Sequence, residues 1–333
     1  MPVTIRDVAR AAGVSPSTVS RAFNNSPLVK PETREHVLRI AAKMRYVPNA
    51  TARNLTLQKT EVLGLILPKP REEFYLELIR GTDEAASQAG YKLLISSTNN
   101  RLEDVVGALQ TMHGMVDGLL INSPHHDVAT LSHLLPEDLP VVFLQSAIDD
   151  EPFDCFRIAN RRGAYLAVKH LIDLGHRQIA LIKSEEQNFE TRERLQGCYD
   201  AFREAGITPE PTFEFTGTFT QESGYRAGVE FLKLDRRPTA IFAFDDHMAI
   251  GALRAIREAG LSVPDDVAII GFDDVMSARL AIPPLSSVRV PVRDMGAQAV
   301  YRLIELLDTW DHRTPETIEL PAELVIRAST AGN

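Results

Sequence analysis

Cysteine is nearly absent from this chain of 333 residues. Cys155 and Cys198 alone cannot build the disulfide framework of a small secreted domain, and they suit a reducing compartment. No apolar run approaches the roughly 20 residues that span a bilayer. The opening MPVTIRDVARAAG lacks the continuous apolar stretch of a signal peptide. A cytoplasmic protein with no membrane partner is therefore expected. Catalytic signatures are missing too: there is no G-x-G-x-x-G turn after a strand, no Walker loop and no nucleophile elbow. The nine histidines show no metal-ligand spacing; His125 and His126 share a loop and His113 stands apart. Nothing asks for an enzyme, a cofactor or a metal.

What is present is ordinary in amount and uneven in place. Hydrophobic residues make up 44% and charged residues 24%, enough for large cores in two or three domains. The net charge of −9 would argue against nucleic acid if it were evenly spread. It is not: residues 1–60 hold ten Lys/Arg against three acids, a balance of +7, while the remainder holds 26 bases and 42 acids, or −16. A small basic head on a large acidic body confines nucleic-acid binding to one end.

Within the head, Thr4 is placed to cap a first helix, its hydroxyl accepting from the first turn. Ile5, Val8, Ala9 and Ala12 recur on one face of that helix, and Gly13 suits the turn that closes it. Ser15 caps a second helix over 16–23, with Pro16 at its first position, where a missing N–H costs nothing. Val19 and Phe23 face inward there, and Ser17, Thr18, Ser20 and Arg21 face out. A third helix starts at Lys30-Pro31-Glu32-Thr33 and runs to about Met44. Two short helices joined by a Gly turn make a helix-turn-helix.

Over TIRDVARAAGVSPSTVSRAFN, then Lys30-Pro31-Glu32-Thr33-Arg34 and Tyr46-Val47-Pro48-Asn49-Ala50-Thr51-Ala52-Arg53-Asn54-Leu55, the chain closely resembles the LacI/GalR (lactose-repressor) family of bacterial regulators. The resemblance implies that the second helix enters the major groove of operator DNA. Pro16, Ser17 and Arg21 then face bases or sugars, and Ser15, Thr18, Ser20 and Asn24 hold phosphates, with Thr4 and Asn49 in the same set. It further implies a hinge helix over 49–56 that folds on DNA in the dimer. Leu55 would be its wedge in the minor groove, with Ala52 and Arg53 beside it. The chemistry agrees. Small hydroxyls suit phosphate oxygens, and the Arg21 fork suits guanine.

Beyond residue 61 the sequence alternates apolar strands (62–67, 92–96, 118–121, 141–144, 178–182, 239–244, 267–271) with amphipathic helices (74–89, 163–174, 192–205, 224–234, 246–259). Strands without polar alternation are buried on both faces, which predicts parallel sheets wrapped by helices. The pattern is too long for one sheet. Two doubly wound subdomains are expected, with a ligand between them at the carboxyl ends of the strands. The predicted organisation is an all-α helix-turn-helix head over 1–48, a hinge over 49–60, and an α/β effector domain over 61–333. Its N-subdomain takes 61–158 and 290–318, and its C-subdomain takes 159–289 and 319–333.

The resemblance covers this region as well, through Gly175-His176-Arg177, Pro238-Thr239-Ala240-Ile241-Phe242-Ala243, Val263-Pro264-Asp265-Asp266-Val267, Gly271-Phe272-Asp273-Asp274 and Pro283-Pro284-Leu285-Ser286-Ser287-Val288. It implies a fold similar to periplasmic sugar-binding proteins. It places effector contacts at Phe74, Tyr75, Asn122, Gln145, Arg194, Phe219, Phe244, Asp245 and Asp273. Carboxylates and amides suit paired hydroxyls and aromatic faces suit a sugar ring, although aromatics would equally sandwich a purine. Asp246, with a helix directly behind it, reads as a pure helix cap. Two departures point to an unfamiliar effector: the acid usual beside Asn160 is missing, and 68–73 carries unusual charge. A homodimer on a pseudo-palindromic operator is expected, without a tetramerising tail, since 324–333 holds no leucine heptads. A protein co-regulator stands as the alternative to a small effector.

Overall fold

The computed structural model describes residues 3–47, 59–69, 73–147, 152–184, 188–309 and 314–331. It divides into two compact units, 1–60 and 61–333.

In the first unit α1 (Ile5–Ala12), α2 (Pro16–Phe23) and α3 (Pro31–Lys43) close around Val8, Ala9, Ala12, Val19, Ala22, Val29, Val37 and Ala41. Thr4 is the N-cap of α1, as expected, and Asp7 answers it from the third position of the helix. The Thr4 hydroxyl donates to Asp7 Oδ2 at 2.6 Å, and the same oxygen accepts the Thr4 N–H at 3.0 Å, so Asp7 is the acceptor at this end. An anion in the first turn also opposes the positive end of the helix dipole. Gly13 ends α1 in the left-handed region (φ +65°), where a side chain would be strained. Ser15 Oγ accepts the Thr18 N–H at 3.1 Å, so α2 is capped as its sequence predicts. Phe23 is only half-buried and meets Tyr46 edge-on at 5.7 Å.

The second unit holds two six-stranded sheets. The first contains β1 (Val62–Pro68), β2 (Lys92–Thr98), β3 (Gly118–Asn122), β4 (Val141–Leu144), β5 (Asp154–Ile158) and β11 (Thr317–Leu320), in the order β11-β5-β4-β3-β1-β2. The second contains β6 (Ile179–Lys183), β7 (Glu214–Thr216), β8 (Ala240–Ala243), β9 (Ala268–Asp273), β10 (Ser286–Arg289) and β12 (Glu323–Val325), in the order β12-β10-β9-β8-β6-β7. Every pairing is parallel except β10 with β12. In both sheets the order reverses beside the first strand, at β1/β3 and at β6/β8, which is where doubly wound sheets open a crevice.

The helices are α4 (Glu73–Gln88), α5 (Leu102–Met112), α6 (Val128–Ser132), α7 (Asn160–Asp173), α8 (Phe189–Glu204), α9 (Gln221–Leu232), α10 (Asp246–Glu258), α11 (Met276–Leu280) and α12 (Val292–Thr309). Strands such as GLLIN and VVFL are buried at every residue, as two-sided burial requires. The chain passes between sheets after β5, after β10 and between β11 and β12, so the two halves are tied by three strands. On the first sheet α4 and α12 pack closely. A Cβ on Gly81 would lie 2.0 Å from the Arg293 carbonyl oxygen, so only glycine permits that approach.

Candidate functional site

In the head, burial of Val19 and Ala22 fixes which side of α2 faces out. Ser15, Pro16, Ser17 and Arg21 are exposed, and Thr18, Ser20 and Asn24 are half-buried. Ser15 Oγ lies 2.7 Å from Ser17 Oγ and 2.8 Å from Thr18 Oγ1, so three hydroxyls gather at the N-terminus of the helix. Backbone N–H groups, hydroxyls and a nearby guanidinium form a surface suited to phosphate and base edges. Asn49, Ala52, Arg53 and Leu55 lie outside the described residues.

In the second unit the expected effector residues converge from both sheets: Asn122, Gln145, Phe219, Phe244, Asp245 and Asp273 at or just beyond strand ends, Phe74 and Tyr75 on α4, and Arg194 on α8. Phe74, Tyr75, Arg194, Phe219 and Asp273 line one small cavity together with Glu190. Its volume is about 20 Å³, room for about one water. Hydrogen bonds across the gap hold it shut. Gln145 Nε2, at the end of β4, donates to Glu190 Oε1 on α8 at 3.1 Å. The Phe189 N–H donates to the Pro124 carbonyl at 2.9 Å, and the Ser277 N–H to Glu73 Oε2 at 3.3 Å. Phe74 and Asp273 also border a larger outer cavity of about 630 Å³, within the range of ligand sites of about 300–1,000 Å³.

Arg194 organises the inner wall. It is 2% exposed, donates through Nε to Asn160 Oδ1 at 2.8 Å and through Nη1 to the Phe244 carbonyl, and lies 3.6 Å from Asp273 Oδ1. Its guanidinium stacks on the Phe272 ring at 3.7 Å. Burial pushes the carboxyl of Asp273 up to about 7 against the pull of Arg194. Burial likewise raises Asp245 to about 7, with the Met248 N–H pulling it back, and raises Glu190.

The remaining expected residues stand behind this cavity. Phe244 is sealed in the core 5.3 Å from Phe242, so its carbonyl and not its ring takes part, a correction to the aromatic role expected of it. Asn122 donates to the Leu144 carbonyl at 3.1 Å, and Gln145 Oε1 accepts the Ile158 N–H at 2.7 Å. The cap expected at Asp246 falls to Asp245. Asp245 caps α10, accepting the Met248 N–H at 2.8 Å, while Asp246 reaches Ser287 Oγ at 2.6 Å and the Val275 N–H at 2.9 Å. The helix begins one residue earlier than a cap at Asp246 requires.

Gln145, Phe219, Asp273 and Asp274 all have left-handed backbone (φ +51°, +56°, +105° and +54°), four of the eight described non-glycine residues that do. Such strain costs about 1–3 kcal/mol per residue and gathers where a site needs a fixed geometry. Glu190 was not among the expected residues. The signal for it is its position four residues before Arg194, on the same helix face.

Comparison with known proteins bears on both units. Residues 4–49 match the model of bacterial regulatory proteins of the lacI family, and 168–330 match the periplasmic binding protein-like domain. The chain is 35% identical to the HTH-type transcriptional regulator DegA of Bacillus subtilis (strain 168), covering 99% of each chain. The chain belongs to the LacI family. It is also 35% identical to the HTH-type transcriptional repressor PurR of Histophilus somni (strain 129Pt), over 98% of each. Among solved structures it is similar to the Lac repressor dimer bound to operator and the anti-inducer ONPF (TM-score 0.88, 31% identity, 99% of each chain covered). It is similar as well to the complex of the transcriptional regulator CelR with cellobiose (TM-score 0.74, 32% identity, 98% and 99% covered). As a LacI family member the protein is a DNA-binding transcription regulator and not an enzyme. Among the described residues no helix is long and apolar enough to cross a membrane, and no group of side chains is arranged to hold a metal.

Proposed function

We propose that the protein is a repressor that binds a pseudo-palindromic operator as a homodimer and is controlled by a sugar held between its two sheets. The observation that carries the effector half is the closed cavity between the sheets, lined by Asp273 with a buried oxygen that accepts no hydrogen bond, and backed by Asn122 and Asp245 with one such oxygen each. Such atoms cost about 1–3 kcal/mol each unless a partner arrives, and a polyol brings several donors at once. The cellobiose complex of CelR supports a sugar, and the operator-bound Lac repressor dimer supports the two-fold arrangement.

Ser15, Thr18, Ser20, Asn24 and Thr4 serve as backbone contacts, Pro16, Ser17 and Arg21 face bases or sugars with Arg21 as the main base reader, and Asn49, Ala52, Arg53 and Leu55 follow in the hinge. A ligand entering the cavity must first break the bonds at Gln145, Phe189 and Ser277, so occupancy and subdomain geometry are linked. It shifts the DNA-binding balance only by its differential affinity for the two geometries, typically about 1–3 kcal/mol.

A thermal-shift screen against sugars, sugar phosphates, polyols and purines tests this. A ligand at 100 times its Kd should stabilise the chain by about 2.7 kcal/mol, and the shift should vanish in Asp273→Ala. A hit that survives this substitution places the ligand elsewhere. Silence across the panel favours a protein co-regulator instead.

A further inference from the structure

The charges around the cavity narrow the effector beyond a polyol. Glu190 and Asp273 line it, and Arg194 is the one cation among the described residues that do so. Asp245 and Asp246 stand behind Asp273, 2% and 1% exposed. Asp246 is satisfied by Ser287 and Val275. Its neighbours are not: Asp245 Oδ2 and Asp273 Oδ1 accept no hydrogen bond, although the Asp273 side chain is only 9% exposed. Arg194 is already committed to Asn160, the Phe244 carbonyl and the Phe272 ring, and it faces Asp273 Oδ1 as an ion pair at 3.6 Å, beyond hydrogen-bond reach. Arg157 and Arg192 are placed over the Phe189 ring at 5.0 and 6.0 Å.

In the inner cavity carboxyls therefore outnumber cations, with two acceptor oxygens left open, whereas Arg80, Arg279, Arg289 and Arg293 line the outer cavity that Asp273 also borders. A hydroxyl offers those oxygens a donor without charge, and a phosphate adds to the excess. An ammonium group brings donors and the missing charge together. We propose, building on the cleft as the sugar site, that the effector is a polyhydroxylated amine such as a 2-amino hexose, its ammonium group held by Asp273 and Asp245.

The test is isothermal titration of the full chain at pH 7 with D-glucosamine, D-galactosamine and D-mannosamine, each beside its parent hexose and its uncharged N-acetyl derivative. One amine is expected to bind at least about tenfold more tightly than both neutral forms, because hydrogen bonds to charged groups exceed neutral ones by about 1–1.5 kcal/mol. Asp273→Asn and Asp245→Asn, each checked for folding by circular dichroism, should reduce that preference to parity. A parent hexose or N-acetyl derivative that binds as tightly as the amine, with dependence on Asp273, overturns the amine while the sugar site stands. Preference for the amine that survives both Asn variants overturns its placement at these carboxylates in the same way. If none of these compounds binds, the 2-amino hexose is overturned, while the sugar reading stands or falls on the wider thermal-shift panel.

Discussion

Replacing Arg194 by Ala is expected to destabilise the second unit by about 3–5 kcal/mol at pH 8, the cost of leaving buried charge without its partner. The side chain is 2% exposed, and its removal orphans Asn160 Oδ1 and the Phe244 carbonyl as well as the carboxylate of Asp273. Much of the penalty lies in carboxylates that stay ionised, so it should shrink at pH 5.5, where Asp273 and Asp245 take up protons and need no counter-charge. Arg161, whose side chain is 54% exposed in its pair with Asp200, is the control. Its replacement should cost about 0–1 kcal/mol at either pH. Urea unfolding of both variants at the two pH values measures the difference. A loss for Arg194→Ala that matches the Arg161 control would show that the buried charges are not coupled as described.

The second large effect concerns pH itself. Asp245 and Asp273 are both raised from 3.8 to about 7. Between those values the folded chain holds protons that the unfolded chain has released, so stability is lost as pH rises through this window. A rise of that size amounts to about 4 kcal/mol for each group when fully expressed. Asn caps a helix as well as Asp does, so Asp245→Asn can keep the bond to the Met248 N–H that starts α10. The variant should equal or fall slightly below the parent near pH 5 and exceed its stability near pH 8. Thermal unfolding from pH 5 to 8 reads this as diverging curves. Parallel curves would mean that Asp245 does not titrate in this range.

The sequence makes the two-sheet plan legible because parallel strands buried on both faces must be continuously apolar, as GLLIN and VVFL are. The strands that escape this reading carry polar residues for local reasons. β5 opens on Asp154, whose carboxylate is buried against Arg302 and the Glu316 N–H, and β7 and β12 are short edge strands. The α12 stripe of Met295, Ala299, Leu303 and Leu306 has the helical period and needs no distant information. The site is harder to read. Whether Asp245 or Asp246 caps α10 depends on one residue of helix register, and Asp246 turns away because Ser287, 41 residues on, is within reach. Phe244 looks like a cleft aromatic until the register of β8 places its ring inside. Glu190 gains meaning only when Gln145 arrives from the opposite sheet.

If the exposed face of α2 reads a two-fold operator under control of the cavity, the DNA sequence it selects must show both the symmetry and the reader. The most direct measurement is selection of bound sequences from a randomised duplex library by the full chain, repeated with Arg21→Ala. A pseudo-palindrome should be enriched, and Arg21→Ala should lose about 1–3 kcal/mol in affinity for it, concentrated at one base position in each half-site. Binding without sequence enrichment, or an enriched site that Arg21→Ala binds equally well, would contradict this role for α2.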